Sequence, residues 1–221
     1  MIHSSGTPSA AGHGFCDIFV DGENLASLVG NNMNYHQCLP LDTFRAGCNN
    51  YTWGWTNLFL PQYLRVAGLY YPQQVAFYKS PAAQKIYNHL IGMILVNDSL
   101  MHNCFGPSMV QVHAKLDKYF GWDEKVRWIP YWRINEVAKF NAPGDDASVV
   151  SVFEREGKYL FIAFNNTDKA LDFVLEPAKE IKGWGNAVSF INVMTDKSTA
   201  PINGKLTFNV PERDFVIMVA K

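Results

Sequence analysis

Residues 148–165 read SVVSVFEREGKYLFIAFN. Two runs rich in β-branched and aromatic residues, 148–154 and 159–165, flank Glu156-Gly157, a pair suited to a tight hairpin turn. In the second run Phe161, Ala163 and Asn165 alternate with Ile162 and Phe164, so neither face is polar. Such a strand is expected at the centre of a sheet, covered on both sides. Further strands are expected at 170–175, 188–193, 206–210 and 215–220, with a second turn at Asn203-Gly204 and no helix between them. About six short strands in roughly 75 residues predict an antiparallel β-sandwich of two sheets.

Upstream the grammar differs. Asn141-Ala-Pro-Gly-Asp-Asp146 reads as a turn-rich linker, which divides the chain into residues 1–144 and a sandwich domain, 145–221. The run 15–20, Phe-Cys-Asp-Ile-Phe-Val, is short and mostly apolar, as a strand buried in a parallel sheet would be. An elaborated loop with short helices is expected over 31–55, and a helix over 57–67 with Pro61 either in its first turn or kinking it. Ser80 and Pro81 suit the start of a helix that carries Ala83, Ile86, Tyr87 and Leu90 on one face. Residues 92–97, Gly-Met-Ile-Leu-Val-Asn, then read as a strand. A helix over 107–120 closes at Gly121, and 127–134 reads as a short aromatic strand. Strands alternating with helices predict an α/β domain, here part of a (β/α) barrel. Met1-Ile2-His3 reads as the end of a buried strand, so the first half of that barrel is expected to precede this chain.

Composition narrows the partners. Hydrophobic residues make up 48% and charged residues 18% of the 221, enough for sizeable cores. The formal net charge is −1 with no basic run, which argues against nucleic acid. No stretch is long and apolar enough to span a membrane, and the first residues lack the basic and apolar regions of a signal peptide. Six Trp, ten Tyr and fifteen Phe suit either a large core or a cleft where sugars stack on flat rings. The four cysteines, Cys16, Cys38, Cys48 and Cys104, form no metal-binding or redox pair.

In α/β domains ligands bind at the C-terminal ends of parallel strands. Three expected strand ends carry polar residues: His3-Ser4-Ser5-Gly6, Asp21-Gly22-Glu23-Asn24, and Asn97-Asp98 with His102 beyond. Were the strands neighbours, Asp21, Glu23 and Asp98 would be catalytic carboxylates, since close carboxylates push their pKa values apart and supply both acid and base. The plainer alternative is a turn at Asp21-Gly22 and caps at Glu23 and Asp98. His3, His102, Trp53, Trp55, Tyr131, Trp132 and Arg133 are candidate substrate contacts, and core packing accounts for the tryptophans equally well. No metal site is expected, because no His-x-His or helical His/Glu pair accompanies His3, Asp21 and His102. No phosphate-binding glycine loop or serine elbow is present, and no cofactor is expected.

The series HSSG at 3–6, GFCDIFVDGEN at 14–24, LDTFRAG at 41–47, MILVNDSLMH at 93–102, WIPYWR at 128–133 and GKLTFNVPERDFVIMVAK at 204–221 resembles the final portion of large barrel glycosidases. The resemblance is to glycoside hydrolase family 123 and its uncharacterised relatives. It implies a (β/α)8 catalytic barrel followed by a small antiparallel sandwich, a carbohydrate substrate, and export from the cytoplasm. In that family the acid and its partner are an adjacent Asp-Glu pair, whereas Gly22 separates Asp21 from Glu23 here. The pair therefore lies in this turn or in a preceding part of the barrel.

Two functions follow as expectations. One is hydrolysis of O-glycosidic bonds by a protein of which this chain is a fragment. The other is a non-catalytic carbohydrate-binding or structural module. The 221-residue chain alone is expected to be inactive, and the piece from residue 145 onward to fold by itself.

Overall fold

The computed structural model describes residues 3–5, 18–21, 40–48, 57–59, 80–101, 106–141, 147–178 and 189–221. They fall into two compact units, Met1–Gly106 and Pro107–Lys221.

In the first unit β1 (His3–Ser5), β2 (Ile18–Asp21), β3 (Asn57–Phe59) and β4 (Leu100–Met101) lie side by side in chain order. Every neighbouring pair is parallel. Parallel neighbours need long crossovers, and the helices α1 (Leu41–Cys48) and α2 (Pro81–Val96) occupy two of them. The parallel reading of the strand around residue 20 agrees with this sheet.

Two expectations in this unit are corrected. Residues 57–59 are a strand, the start of the segment read as a helix. Residues 92–96, read as a strand, are the last turns of α2. Leu90, Ile91, Met93, Ile94, Leu95 and Val96 are all buried. This end of α2, residues 89–96, is buried all round and shows no polar face, so its apolar run carries no period to separate it from a buried strand.

α2 stops in a defined way. Asp98 has φ 49°, and its N–H donates to the Leu95 carbonyl at 3.3 Å, while Ser99 N–H reaches the Ile94 carbonyl at 3.1 Å. This is the paired C-terminal cap in which a left-handed residue, most often glycine, ends the helix.

The second unit opens with α3 (Gly106–Tyr119), which is followed by Gly121 at φ +79°, the left-handed residue expected there. Its strands are β5 (Arg127–Ile129), β6 (Ala138–Asn141), β7 (Ser148–Arg155), β8 (Lys158–Asn165), β9 (Leu171–Pro177), β10 (Phe190–Asn192), β11 (Ser198–Thr199), β12 (Leu206–Val210) and β13 (Asp214–Ala220). One sheet has the order β11-β10-β13-β8-β7-β5 and the other β12-β9-β6, with all pairings antiparallel. Val150, Val152, Phe161, Ala163, Val216 and Met218 from the first sheet share one core with Phe173, Leu175, Leu206 and Val210 from the second. The β7–β8 hairpin turns at Glu156 (φ 52°) and Gly157 (φ 84°), both left-handed, as a two-residue turn of matching twist requires.

β8 lies inside the sheet between β13 and β7. Its second face is also covered: Leu160, Ile162 and Phe164 are as fully buried as Phe161 and Ala163. α3 is tied to this unit by Lys115 Nζ, which donates to the Met194 carbonyl (3.2 Å) and to Asp196 (2.7 Å), and by Lys158 Nζ on the Tyr119 carbonyl (2.5 Å).

Residues 127–134 were expected as one strand. Here β5 ends at Ile129, and Tyr131–Glu136 form a 3-10 helix. Pro130, at φ −66°, has no N–H to extend a ladder, and its carbonyl accepts from Arg133 N–H at 2.8 Å. β5 pairs with β7 and β6 with β9. β5 and β6 are therefore strands of the sandwich itself; residues 142–146 of the expected linker lie outside the described residues.

Candidate functional site

The parallel sheet brings four strand ends into line. Ser5 pairs with Val20, Asp21 with Phe59, and Phe59 with Met101. Asp21 is the last residue of β2, at the edge where β2, β3 and β4 all end. His3 is the first residue of β1, opposite Ile18, so it enters the sheet at the other end. Glu23, Trp53, Trp55 and His102 lie outside the described residues.

Asp98 does not join Asp21. The residues before it are helical, so it ends α2 and precedes β4, where the chain enters the sheet. Asp21 stands where β2 leaves it. The picture of Asp98 at a strand's C-terminal end rested on the strand that α2 replaces. Its side chain reaches solvent, yet the protein crowded around it removes enough hydration to push its pKa from 3.8 to about 6.

The second unit gathers the aromatic candidates. Tyr131, Trp132 and Arg133 share the 3-10 helix Tyr131–Glu136. Trp132 meets Trp128 edge to face with centroids at 5.6 Å, and Tyr131 at 4.8 Å. Arg133 pairs with Glu136, Nη2 to Oε2 at 3.0 Å, which holds the Glu136 carboxyl below its usual range. Trp132 is 47% exposed.

Two aromatic residues were missed in the sequence. Trp122 is 46% exposed and rests on Phe153 (4.9 Å) and Phe120 (5.5 Å). Trp128 stands opposite Phe153 across the β5–β7 ladder. A signal for Trp122 was present: it directly follows the left-handed glycine that ends α3, so it cannot belong to that helix's buried stripe. Among the described residues, no group of three His, Cys, Asp or Glu is placed to hold a metal ion, and no helix is long and apolar enough to cross a membrane.

Solved structures similar in fold include glycoside hydrolases. A maltogenic alpha-amylase from Thermotoga neapolitana superposes with a TM-score of 0.52 at 14% identity, over 98% of this chain and 54% of the other. An Anoxybacillus alpha-amylase gives 0.50 at 14% identity, over 95% and 48%. The alpha-amylase from Geobacillus thermoleovorans, solved with acarbose, gives 0.51 at 10% identity, over 93% and 48%. In fold, then, this chain is glycoside-hydrolase-like. It spans about half the length of these enzymes, and at such identities the likeness is one of fold and not of any single family. No protein-family model matches the chain. No curated protein sequence matches it either.

Proposed function

We propose that this chain is part of a glycoside hydrolase, with the parallel sheet contributing strands to a (β/α)8 catalytic barrel and Asp21 serving as one of its two carboxylates. One observation carries the reading: Asp21 closes β2 at the C-terminal edge of an all-parallel sheet whose strands follow chain order. In barrels of this kind that edge holds the chemistry. Glu23, two residues further along, is the nearest candidate partner in the chain, and the substrate class is a carbohydrate. Asp98 is left out of the pair, because it enters β4 from the other end. The resemblance to glycoside hydrolase family 123 supports the same class of reaction.

The test is hydrolysis by the protein expressed with its natural flanking sequence, measured as reducing ends released from a panel of polysaccharides. Asp21→Asn and Glu23→Gln are each expected to lower the rate by roughly 10²–10⁴-fold, the usual contribution of general acid–base catalysis. A rate unchanged by both substitutions would overturn the assignment. The second reading, a carbohydrate-binding module without turnover, is favoured by the exposed tryptophans of the second unit. Glycan binding without any hydrolysis would select it.

A further inference from the structure

Among the described residues, four large hydrophobic side chains are exposed: Val110 (68%), Ile202 (76%), Trp122 and Trp132. The two exposed tryptophans stand at the ends of a chain of neighbouring rings whose inner member Phe153 is buried. Trp122 lies on Phe153, Phe153 is the cross-strand partner of Trp128, and Trp128 meets Trp132. Their neighbours Ile129 and Val152 point into the sandwich core, so Trp128 and Phe153 belong to the opposite face of the β5–β7 edge. We propose that this strip is a glycan-binding site of its own, holding an extended, uncharged oligosaccharide chain across Trp122 and Trp132. The proposal rests on the carbohydrate reading above and adds a site on the second unit that needs no catalytic residue.

The chemistry of the rim selects the ligand. Arg155 pairs with Asp123, Lys125 with Glu156, and Arg133 with Glu136. Each cation is matched by a carboxylate, so the strip carries no net charge to attract a nucleic acid or an anionic lipid surface. The indole faces offer flat apolar platforms for the C–H faces of pyranose rings. Trp122 is braced by Phe120 and Phe153, so little side-chain freedom remains to be lost on binding.

Native affinity electrophoresis of the 221-residue chain tests this, with soluble starch, laminarin, xylan and galactomannan in the gel and polygalacturonate as the charged control. At least one neutral polysaccharide is expected to retard the protein. Trp122→Ala and Trp132→Ala should each weaken the retardation at least fivefold, and together abolish it, while Asp21→Asn leaves it unchanged. Thermal melts confirm that the variants are folded. Protection of the two indoles from N-bromosuccinimide oxidation by the retarding polysaccharide, mapped by peptide mass, provides a readout in the unmutated chain. The proposal is overturned by no retardation, by retardation that the folded double variant keeps, or by retardation that Asp21→Asn removes. It is also overturned if Trp122→Ala abolishes a self-association of the chain while no polysaccharide binds. Retardation with no hydrolysis by the longer protein would sink the catalytic reading alone; hydrolysis without retardation would sink this one alone.

Discussion

Asn165, the last residue of β8, donates from Nδ2 to the backbone carbonyl of Val210, the last residue of β12, at 3.1 Å. The two strands belong to different sheets, so this bond joins the sandwich at one corner. The same Nδ2 reaches the carbonyls of Lys169 (2.7 Å) and Pro211 (3.0 Å), and Oδ1 accepts from Thr167 N–H and its hydroxyl. Asn165 is fully buried. Asn165→Leu would leave several of these backbone groups unpaired in a water-poor corner. The expected loss is about 2–4 kcal/mol of unfolding free energy, read from urea denaturation. A loss below about 1 kcal/mol would mean that the corner is held by packing alone.

At Asp98 desolvation disfavours the ionised side chain, and the negative end of the α2 dipole acts in the same direction; its left-handed φ of 49° is a separate backbone strain. Its folded pKa, about 6, lies above the unfolded value. The folded state therefore holds this proton more tightly, and stability declines as pH rises from about 4 through 6. Asp98→Asn should flatten that part of the pH–stability curve, and Asp98→Gly should also relieve the backbone. Urea midpoints at pH 4 and pH 7 are the measurement. An Asp98→Asn variant that keeps the wild-type slope would contradict the argument.

Gly121 and Gly157 both adopt positive φ, but their surroundings differ. A Cβ on Gly121 would come within 3.1 Å of Arg155 Nη1, whereas nothing lies within 4 Å of one on Gly157. Arg155 is not free to swing away without cost, because it pairs with Asp123 and approaches the Phe120 carbonyl at 3.5 Å. Gly157→Ala should cost about 1 kcal/mol from backbone conformation, and Gly121→Ala somewhat more. Equal melting temperatures for the two variants would show that Arg155 relocates freely.

The strand pairings set where the chain can be cut. A piece starting at residue 145 lacks β5 and β6, which exposes the β7 edge and one edge of β9. Bare edges favour association over folding. The 107–221 piece should unfold cooperatively as a monomer and the 145–221 piece should aggregate, as size-exclusion chromatography and circular dichroism would report. A monomeric, cooperatively folded 145–221 piece would refute this.

Much of the sandwich was legible in the sequence, because its signals are local. A β-branched run such as Val149–Val150 and Val152 resists helix, and Glu156-Gly157 supplies two left-handed positions in succession; together they specify a hairpin before any partner arrives. The double-sided burial of β8 was written in its unbroken apolar run. β6 was not legible: Ala138-Lys-Phe-Asn141 is short, mixed in character, and is a strand only because β9 offers it a ladder.

The candidate site divides in the same way. That Asp21 ends a strand of a parallel sheet could be read from the apolar run before it and the glycine after it. That Asp98 belongs elsewhere could not, since Gly92-Met-Ile-Leu-Val is compatible with either a buried helix or a buried strand. The aromatic strip was only partly legible: Trp132 stood out beside Tyr131, whereas Trp128 and Phe153 are brought opposite each other only by the pairing of β5 with β7. Sequence specifies what each short segment prefers. When an apolar run has no polar face to give it a period, only the surface it packs against decides between helix and strand, and with it the end of the sheet at which the next carboxylate stands.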